Sequence, residues 1–373
     1  MPDEKALELE RVTRWRRDLH RIPELDFDLP ETLAYIRRVL EQYPCTLFSP
    51  CESTLCAYFD AGKPHTAAFR ADMDALPIAE RSGCDYASRH EGKMHACGHD
   101  GHMAMVLALA GRVSEVLDKL PRNVLLVFQP AEETTGGAKL VCDSGVFEEY
   151  HCDRIFGWHL WPDLPAGAIA SRPGPLLARS SEVTVTVTGK SSHVAKPHEG
   201  RDALYAASAF LCESYRRMEL LGRAEEPRLL KFGKLTSGQA RNAISDSSLL
   251  LGTLRVYSDE MFNAAEAMLR DLANTLERET GCSFTIAFSA GYPPVRNDQA
   301  LFEQARTALP ELQVLDEPLM ISEDFSFYQQ QLPGLFLLLG TGTGIPLHAD
   351  TFDFDESVLA AGLAADELLL FLS

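Results

Sequence analysis

The 373-residue sequence lacks any apolar run close to the roughly eighteen residues that a membrane-spanning helix needs. Its N-terminus, MPDEKALELERVTRWRRDLHR, has a charged helical pattern without the apolar segment of a signal peptide. The nine cysteines follow no paired spacing, which argues against a disulfide framework and for free thiols. Internal repeats and low-complexity segments are also missing. We therefore expect a cytoplasmic protein.

Basic residues are few compared with acidic ones, because 35 lysines and arginines face 54 aspartates and glutamates and give a formal net charge of −19. Such a balance argues against nucleic acid or an anionic membrane as a partner. Hydrophobic residues make up 46% of the chain and charged residues 24%, as is usual for a globular protein. The length is sufficient for two domains with a large core.

Two patterns of hydrophobic residues divide the chain. Up to about residue 178, and again from about 291, helical segments alternate with short apolar runs such as NVLLVFQ and GLFLLLG, which are typical of buried parallel strands. Between these parts, EVTVTVTGK alternates valine and threonine, which favours an antiparallel strand with one exposed face, and the elements follow a βαββαβ-like order.

We therefore expect a two-domain α/β protein with a mixed, largely parallel central sheet. Residues 1–178 and 291–373 would form a catalytic, metal-binding domain, and residues 179–290 an inserted α+β satellite domain.

Side chains that can bind a metal are most concentrated in residues 94–102, MHACGHDGH. Cys97 and His99 stand two positions apart, on what we expect to be the loop before a helix over about residues 101–120. A thiolate with an imidazole suits zinc and is also acceptable to manganese, cobalt or nickel. We expect His99 on the metal, whereas His95 and His102 are interpreted as supporting or packing residues.

Further polar residues follow the apolar runs, and each also has a structural interpretation. Asp72 and Asp74 face one side of an extended segment, unless they form a solvated strand end. The pair Glu132 and Glu133 follows Pro130, where a solvated loop is the alternative. His159, between two tryptophans, could equally be a packed core residue. PLHAD places His348 beyond the last apolar strand.

The spacing of these candidates distinguishes two kinds of metal site. A structural site usually has two such pairs of ligands, CxxC or HxxxH, whereas this sequence has no CxxC and a single HxxxH, His95 with His99. Single ligands from four loops, with extra carboxylates, suggest a catalytic site with two divalent metals bridged by a water. One glutamate of the 132–133 pair would then bind metal while its neighbour takes the proton of that water.

The stretches RADMDALPI, MHACGHDGHM, FQPAEETTGGA, GWHLWPDLPAG, GKSSHVAKPHEGRDAL, ISEDFSFY and PLHAD, in this order, resemble the M20 family of metallo-amidohydrolases and peptidases. They are most similar to its branch of N-acyl-amino-acid amidohydrolases, and the likeness covers nearly the whole chain. Outside the site, RRDLHRIPEL and the length look most like bacterial N-acetyl-diaminopimelate deacetylases, which implies a role in lysine biosynthesis.

The resemblance implies a role for each candidate residue. Glu132 would be the general base, Asp74 would orient a metal ligand, and Asp72 stands where other branches have a metal-binding histidine. The implied ligands of two divalent metal ions (Zn, Mn, Co or Ni) are Cys97, in a bridging position, His99, Glu133, His159 and His348.

The inserted domain would supply the dimer contact and the remaining groups. His193 matches a histidine that reaches into the partner's site and supports the oxyanion, although by itself it would be interpreted as a surface residue. Asn242 and Arg255 match residues that hold the substrate carboxylate, a task for which a guanidinium is suited. The chain departs from the family at Ser191 and Ser192, where glycines are common, and at Ser245, where proline is usual.

Other functions remain open at this point. An aminoacylase, hippurate hydrolase, dipeptidase or carboxypeptidase of the same fold would share the metal ligands and differ in its substrate. A non-enzymatic metal-binding protein should lack the base or one ligand, yet Glu132 and all five ligands are present.

Overall fold

The computed structural model describes residues 4–222 and 226–372. They divide into two compact units. The first unit runs to Leu176 and also contains Val295–Pro318 and the chain from Asp324 onwards. The second unit comprises Leu177–Pro294 and Leu319–Glu323. The assignment of metal binding to one part and dimer formation to the other stays a prediction.

The helices within the described ranges are α1 (Glu4–His20), α2 (Pro30–Leu40), α3 (His99–Val116), α4 (Gly137–Asp143), α5 (Val146–Glu149), α6 (Ala203–Leu220), α7 (Asp259–Thr280), α8 (Gln299–Ala308), α9 (Ser326–Gln329) and α10 (Leu359–Leu369). None of these described helices combines the length and apolarity that crossing a bilayer requires. All nine cysteines are free thiols.

The strands in the same ranges are β1 (Thr46–Phe48), β2 (Leu55–Phe59), β3 (Thr66–Asp72), β4 (Asn123–Gln129), β5 (Cys152–Trp161), β6 (Ile169–Ser171), β7 (Gly174–Leu177), β8 (Arg179–Thr188), β9 (Leu229–Ser237), β10 (Ser247–Val256), β11 (Ser283–Phe288), β12 (Val295–Asn297), β13 (Gln313–Val314) and β14 (Gly334–Gly340). Strands β7 and β12 form a separate two-stranded pair.

The first unit is built on an eight-stranded sheet of order β1-β2-β4-β3-β5-β14-β6-β13. Its four central strands, β4, β3, β5 and β14, run parallel, and the contacts of β2 with β4 and of β14 with β6 are antiparallel. Every residue of β3, β4 and β14 is buried, as expected for strands covered on both faces. The prediction of a mixed, largely parallel sheet is confirmed.

Helix α3 lies inside the first unit, because every residue from His99 to Ala110 is buried. It begins two residues earlier than the sequence predicts, so that His99 belongs to the helix and not to the preceding loop. Gly98 makes this start possible with a φ of +86°, and a Cβ there would lie 2.8 Å from Cδ1 of Leu160. Since the helix is packed on all sides, the position of His99 is fixed.

The second unit contains an antiparallel sheet of order β11-β8-β10-β9. Val183, Val185 and Val187 of β8 are buried in the core of this unit, whereas the threonines between them are more exposed. The alternating pattern therefore predicts this strand correctly. Asp202 and Ser258 cap the N-termini of α6 and α7 by accepting backbone hydrogen bonds.

A buried carboxyl group gives the first unit a pH-dependent stability. Asp366 in α10 is inaccessible to solvent and accepts a hydrogen bond of 2.7 Å from Nε1 of Trp158. Burial raises the pKa of Asp366 to about 8, although the bond from Trp158 opposes the shift. An aspartate in the unfolded chain has a pKa of roughly 4. Between the two pKa values the folded protein keeps a proton on Asp366 that the unfolded chain has lost. The free energy of unfolding therefore falls as the pH rises.

We expect the Asp366→Asn variant to escape this loss, because its side chain cannot ionise. The difference in Tm between the variant and the wild type should grow in favour of the variant by several degrees from pH 5 to pH 8, since each pH unit costs at most about 1.4 kcal/mol. Calorimetry over this range measures the difference. Asp143→Asn, at an exposed carboxylate paired with Lys139, is the control and should show a constant difference. A constant difference for Asp366→Asn would contradict the account.

Candidate metal centre

The carboxyl ends of the parallel strands bring the candidate residues of the first unit together. Asp72 is the last residue of β3, Glu132 and Glu133 follow β4, and His348 lies in the loop after β14. His159 lies within β5 and not after it, because the apolar run continues through Trp161. Residues that follow different strands in the sequence therefore meet at one edge of the sheet.

Two histidines are oriented for metal binding by their own hydrogen bonds. Nδ1 of His99 lies 2.7 Å from the carbonyl oxygen of Asp74, and Nδ1 of His159 lies 2.7 Å from that of Leu160. A carbonyl only accepts, so both Nδ1 atoms donate, and in the neutral form of each ring Nε2 keeps a lone pair. Nε2 of His159 lies 3.4 Å from Sγ of Cys97. Cys97, His99 and His159 thus present three donor atoms within 4.8 Å of one another.

The loop after β4 is held by Asp74. Its two carboxylate oxygens accept the backbone N–H groups of Glu132, at 2.9 Å, and of Glu133, at 3.0 Å. The preceding Ala131 has a φ of +57°, a left-handed conformation that is costly for alanine. Gly137 closes the turn, since a Cβ there would lie 2.0 Å from the carbonyl oxygen of Pro130. Asp74 therefore fixes both glutamates at the site.

The two glutamates point toward the same histidine. Oε2 of Glu132 and Oε1 of Glu133 each lie 3.9 Å from Nε2 of His99. Oε1 of Glu133 also lies 3.1 Å from Nε2 of His348. Burial by itself would raise the pKa of Glu133, but the close contact with His348 and the charges of His99 and His348 outweigh it and lower the pKa to about 2. Glu133 is therefore an ionised, buried carboxylate.

The chemistry of this donor set fits a bound cation. Burial and the carboxylates of Glu133 and Glu132 hold the pKa of the Cys97 thiol well above its usual range, and a cation is the group that would stabilise its thiolate. Burial lowers the pKa of His159 to about 3, so this ring is neutral, as a ligand must be. Nε2 of His99 is buried and makes no hydrogen bond to any described residue.

Sequence reasoning missed a buried network behind the site. Arg70 donates to Asp72 at 2.6 Å, to Gln129 at 2.8 Å and to Asp324 at 2.8 Å, and all four side chains are buried. The burial of Asp72 opposes its ionisation, yet Arg70 and the nearby histidines hold its pKa well below the usual range. The sequence feature that could have indicated this network is Arg70 itself, a charged residue within the mostly apolar strand sequence TAAFRAD.

His102 supports the site as the sequence suggests, while His95 only packs. Nδ1 of His102 lies 2.6 Å from Asp72, and its Nε2 accepts the backbone N–H of Leu160 at 3.0 Å. Its ring lies 5.1 Å from that of His159. His95 is buried, and neither of its ring nitrogens bonds to a described residue.

The remaining candidates belong to the second unit, and the unit does not bring all of them together. His193 and Asn242 are exposed and lie on adjacent segments, since the N–H of Val194 donates to the carbonyl of Asn242 at 3.1 Å. Arg255 lies toward the far end of β10, a strand length of about 25 Å from the residues near Asn242. Its Nη1 donates to the carbonyl of Met320.

The serines that replace family residues are also in the second unit. The hydroxyl of Ser245 bonds to that of Ser237 at 2.8 Å and to the carbonyl of Ser247 at 2.9 Å. The hydroxyl of Ser192 donates to the carbonyl of Lys196 at 3.2 Å. These bonds rigidify the segments around His193 and Asn242, which glycine or proline would shape differently.

Known proteins are similar to this chain over most of its length. Residues 68–370 match the family model described as peptidase family M20/M25/M40. An uncharacterised hydrolase of Staphylococcus haemolyticus is 36% identical over 365 residues, covering 94% of this chain and 95% of the relative. An N-acetyldiaminopimelate deacetylase of Streptococcus uberis is 34% identical over 361 residues, covering 93% of this chain and 95% of the relative.

A solved structure is similar over the same length. It is a dinuclear metal-binding peptidase of family M20 from Bacillus subtilis, with a TM-score of 0.85 and 29% identity, and the match covers 98% of this chain and 99% of that one.

Proposed function

The chain belongs to peptidase family M20/M25/M40, and from this premise we propose that it hydrolyses the amide bond of N-acyl amino acids with two divalent metal ions. The observation that carries the proposal is the convergence of one thiol, three imidazoles and one carboxylate beside a second buried carboxylate, that of Glu132. The proposed ligands are Cys97, His99, Glu133, His159 and His348.

The bound cations, zinc, manganese, cobalt or nickel, would supply Lewis-acid polarisation of the substrate carbonyl. Glu132 would take a proton from the water that attacks this carbonyl and then return it to the leaving amine. Two features of the chain support this role. The backbone N–H of Glu132 is held by Asp74, and the carboxylate of Glu132 lies in the mostly buried cluster around His99. Asp74 thus acts as a positioning residue, and Asp72, held by Arg70, positions His102.

The substrate side of the proposal rests on the second unit and on one relative. His193 would support the oxyanion in a partner's site, and Asn242 and Arg255 would bind the substrate carboxylate. This arrangement requires a homodimer formed through residues 179–290. The deacetylase of Streptococcus uberis makes N-acetyl-diaminopimelate the first substrate to test, and with it a cytoplasmic role in lysine biosynthesis.

We expect the purified enzyme to prefer N-acetyl-diaminopimelate over other N-acetyl amino acids by at least about tenfold in kcat/KM, the ratio that one good polar contact gives. A panel of N-acetyl amino acids, N-benzoyl amino acids and dipeptides, assayed together with metal analysis, measures it. Preference for benzoyl groups would favour a hippurate hydrolase, and preference for a free amine would favour a dipeptidase. Either result would overturn the deacetylase assignment while keeping the amidohydrolase.

A further inference from the structure

A second group of side chains that could hold a metal shares no residue with the proposed catalytic ligands and also belongs to the first unit. His20 ends α1, while Glu80 and Cys84 lie in the segment between β3 and α3. Their ligand atoms, Nε2, a carboxylate oxygen and Sγ, all lie within 4.8 Å of one another. The side chain of His20 is buried, that of Glu80 is 6% exposed, and Cys84 is half-buried. None of the three takes part in the proposed hydrolysis.

The distances among these atoms agree with a tetrahedral zinc site. Zinc bonds of about 2.0–2.1 Å to nitrogen or oxygen and about 2.3 Å to sulfur place tetrahedral ligand atoms about 3.3 Å apart for N and O, and about 3.6 Å apart for S and O. Nε2 of His20 lies 3.2 Å from Oε1 of Glu80, and Sγ of Cys84 lies 3.6 Å from the same oxygen. Two of the three distances therefore match those between zinc ligands, and the third, between His20 and Cys84, is no more than 4.8 Å.

The surroundings of His20 are those of a metal-binding histidine. Its Nδ1 lies 2.7 Å from Oδ2 of the buried Asp100, which leaves Nε2 directed at Glu80. A ligand histidine commonly bonds a carboxylate through its other nitrogen in this way. Asp100 is held in turn by Nε of Arg16 at 2.8 Å.

Hydrogen bonding alone leaves the Glu80 carboxylate crowded. Oε1 faces three donors, the hydroxyl of Ser82, Nε2 of His20 and the thiol of Cys84, although one carboxylate oxygen offers about two lone-pair positions. Oε2 accepts the N–H of Ser88 at 2.6 Å, which fixes the carboxylate in place. An ion pair of His20 with Asp100 and Glu80 explains the burial of the histidine. The Cys84 thiol, whose Sγ also lies 3.3 Å from the hydroxyl of Ser82, is then a third neighbour of Oε1.

We propose that His20, Glu80 and Cys84 form an additional zinc site, which ties the end of α1 to the segment before α3 and is separate from the catalytic metal centre. A thiolate, an imidazole and a carboxylate are a ligand set that zinc prefers. The function of this zinc would be structural. It would hold Asp100, the neighbour of His99 at the start of α3, through the ring of His20.

The test compares the zinc content of full-length variants. Wild type, Cys84→Ser and Cys212→Ser are saturated with zinc chloride under reducing conditions, freed of excess zinc by gel filtration, and analysed by mass spectrometry. Cys212 is an exposed thiol in the second unit and serves as the matched control. We expect Cys84→Ser to hold one zinc per chain fewer than the other two proteins. Equal zinc content in all three would overturn the proposal.

A second measurement separates loss of a ligand from loss of folding. Cobalt replaces zinc and gives a thiolate charge-transfer absorption for each coordinated cysteine. Cys97→Ser should keep the absorption due to Cys84. Cys84→Ser should lose that part of the absorption and keep the part due to Cys97. Cys84→His should regain the metal equivalent without that absorption, because imidazole is also a ligand. Failure of Cys84→His to regain the metal would count against coordination, and failure of the hydrolase proposal would leave these outcomes unchanged.

Discussion

Replacing Glu132 by glutamine is expected to lower kcat by about 10³-fold, within the range that general-base groups contribute. Glutamine keeps the size and the hydrogen-bonding oxygen of the side chain but cannot accept the proton of the attacking water. The metal should remain, because Glu132 is not among the proposed ligands. Steady-state kinetics on an N-acetyl amino acid and the metal content of the same preparation together measure the effect.

Two other glutamates make this experiment specific. Glu148, exposed in α5, is the control, and Glu148→Gln should retain full activity. Glu133→Gln should instead lose metal, because its carboxylate belongs to the proposed ligand set. A Glu132→Gln enzyme that turns over at the wild-type rate would remove Glu132 as the base. If that variant lost its metal, Glu132 would be a ligand.

Replacing Arg70 by methionine is expected to destabilise the first unit by about 3–5 kcal/mol. The change leaves the carboxylates of Asp72 and Asp324 buried without the cation that compensates them. The three tryptophans of the chain, at positions 15, 158 and 161, all belong to the first unit, so their fluorescence during urea unfolding reports on it. Metal affinity should fall as well, because Asp72 positions His102, and the ring of His102 lies against that of the proposed ligand His159.

The control for Arg70→Met removes a cation from an exposed pair. Lys139 and Asp143 lie 2.6 Å apart in α4 with more than half of each side chain exposed. Lys139→Met should cost no more than about 1 kcal/mol, because such pairs contribute little in water. If Arg70→Met lowered the free energy of unfolding no more than Lys139→Met does, the network around Arg70 would not be a major source of stability for the first unit.

The periodicity of the sequence predicts most elements because each depends on its own residues. The alternation in β8 and the apolar runs of β4 and β14 lie where the pattern places them. Short strands such as β6 and β13 were not predicted. They have too few residues to show a period, and they exist only because a neighbouring strand pairs with them.

The site was less accessible from the sequence, because its geometry depends on contacts between distant residues. From the sequence, Asp72 and Asp74 were expected to reach one site because alternate residues of an extended segment face the same side. Both residues do reach it, but only Asp72 lies on the strand. Strand β3 ends at Asp72, and Asp74 acts from the loop by binding the backbone of Glu132, 58 positions later. The strain at Ala131 and the role of Arg70 depend on similar long-range contacts. No local pattern contains that information.

The interruption of the first unit by the second has a consequence for synthesis on the ribosome. Gly157 of β5 pairs with Phe336 of β14, and the whole of Leu177–Pro294 is translated between them. At about 5–20 residues per second, synthesis of β14 follows that of β5 by on the order of ten seconds. All strands of the second unit's sheet are synthesised within this interval. During that interval the nascent chain carries Cys97, His99 and His159 but not His348. Metal loaded early would meet an incomplete set of the proposed ligands, so the proposed centre can be complete only after His348 has emerged.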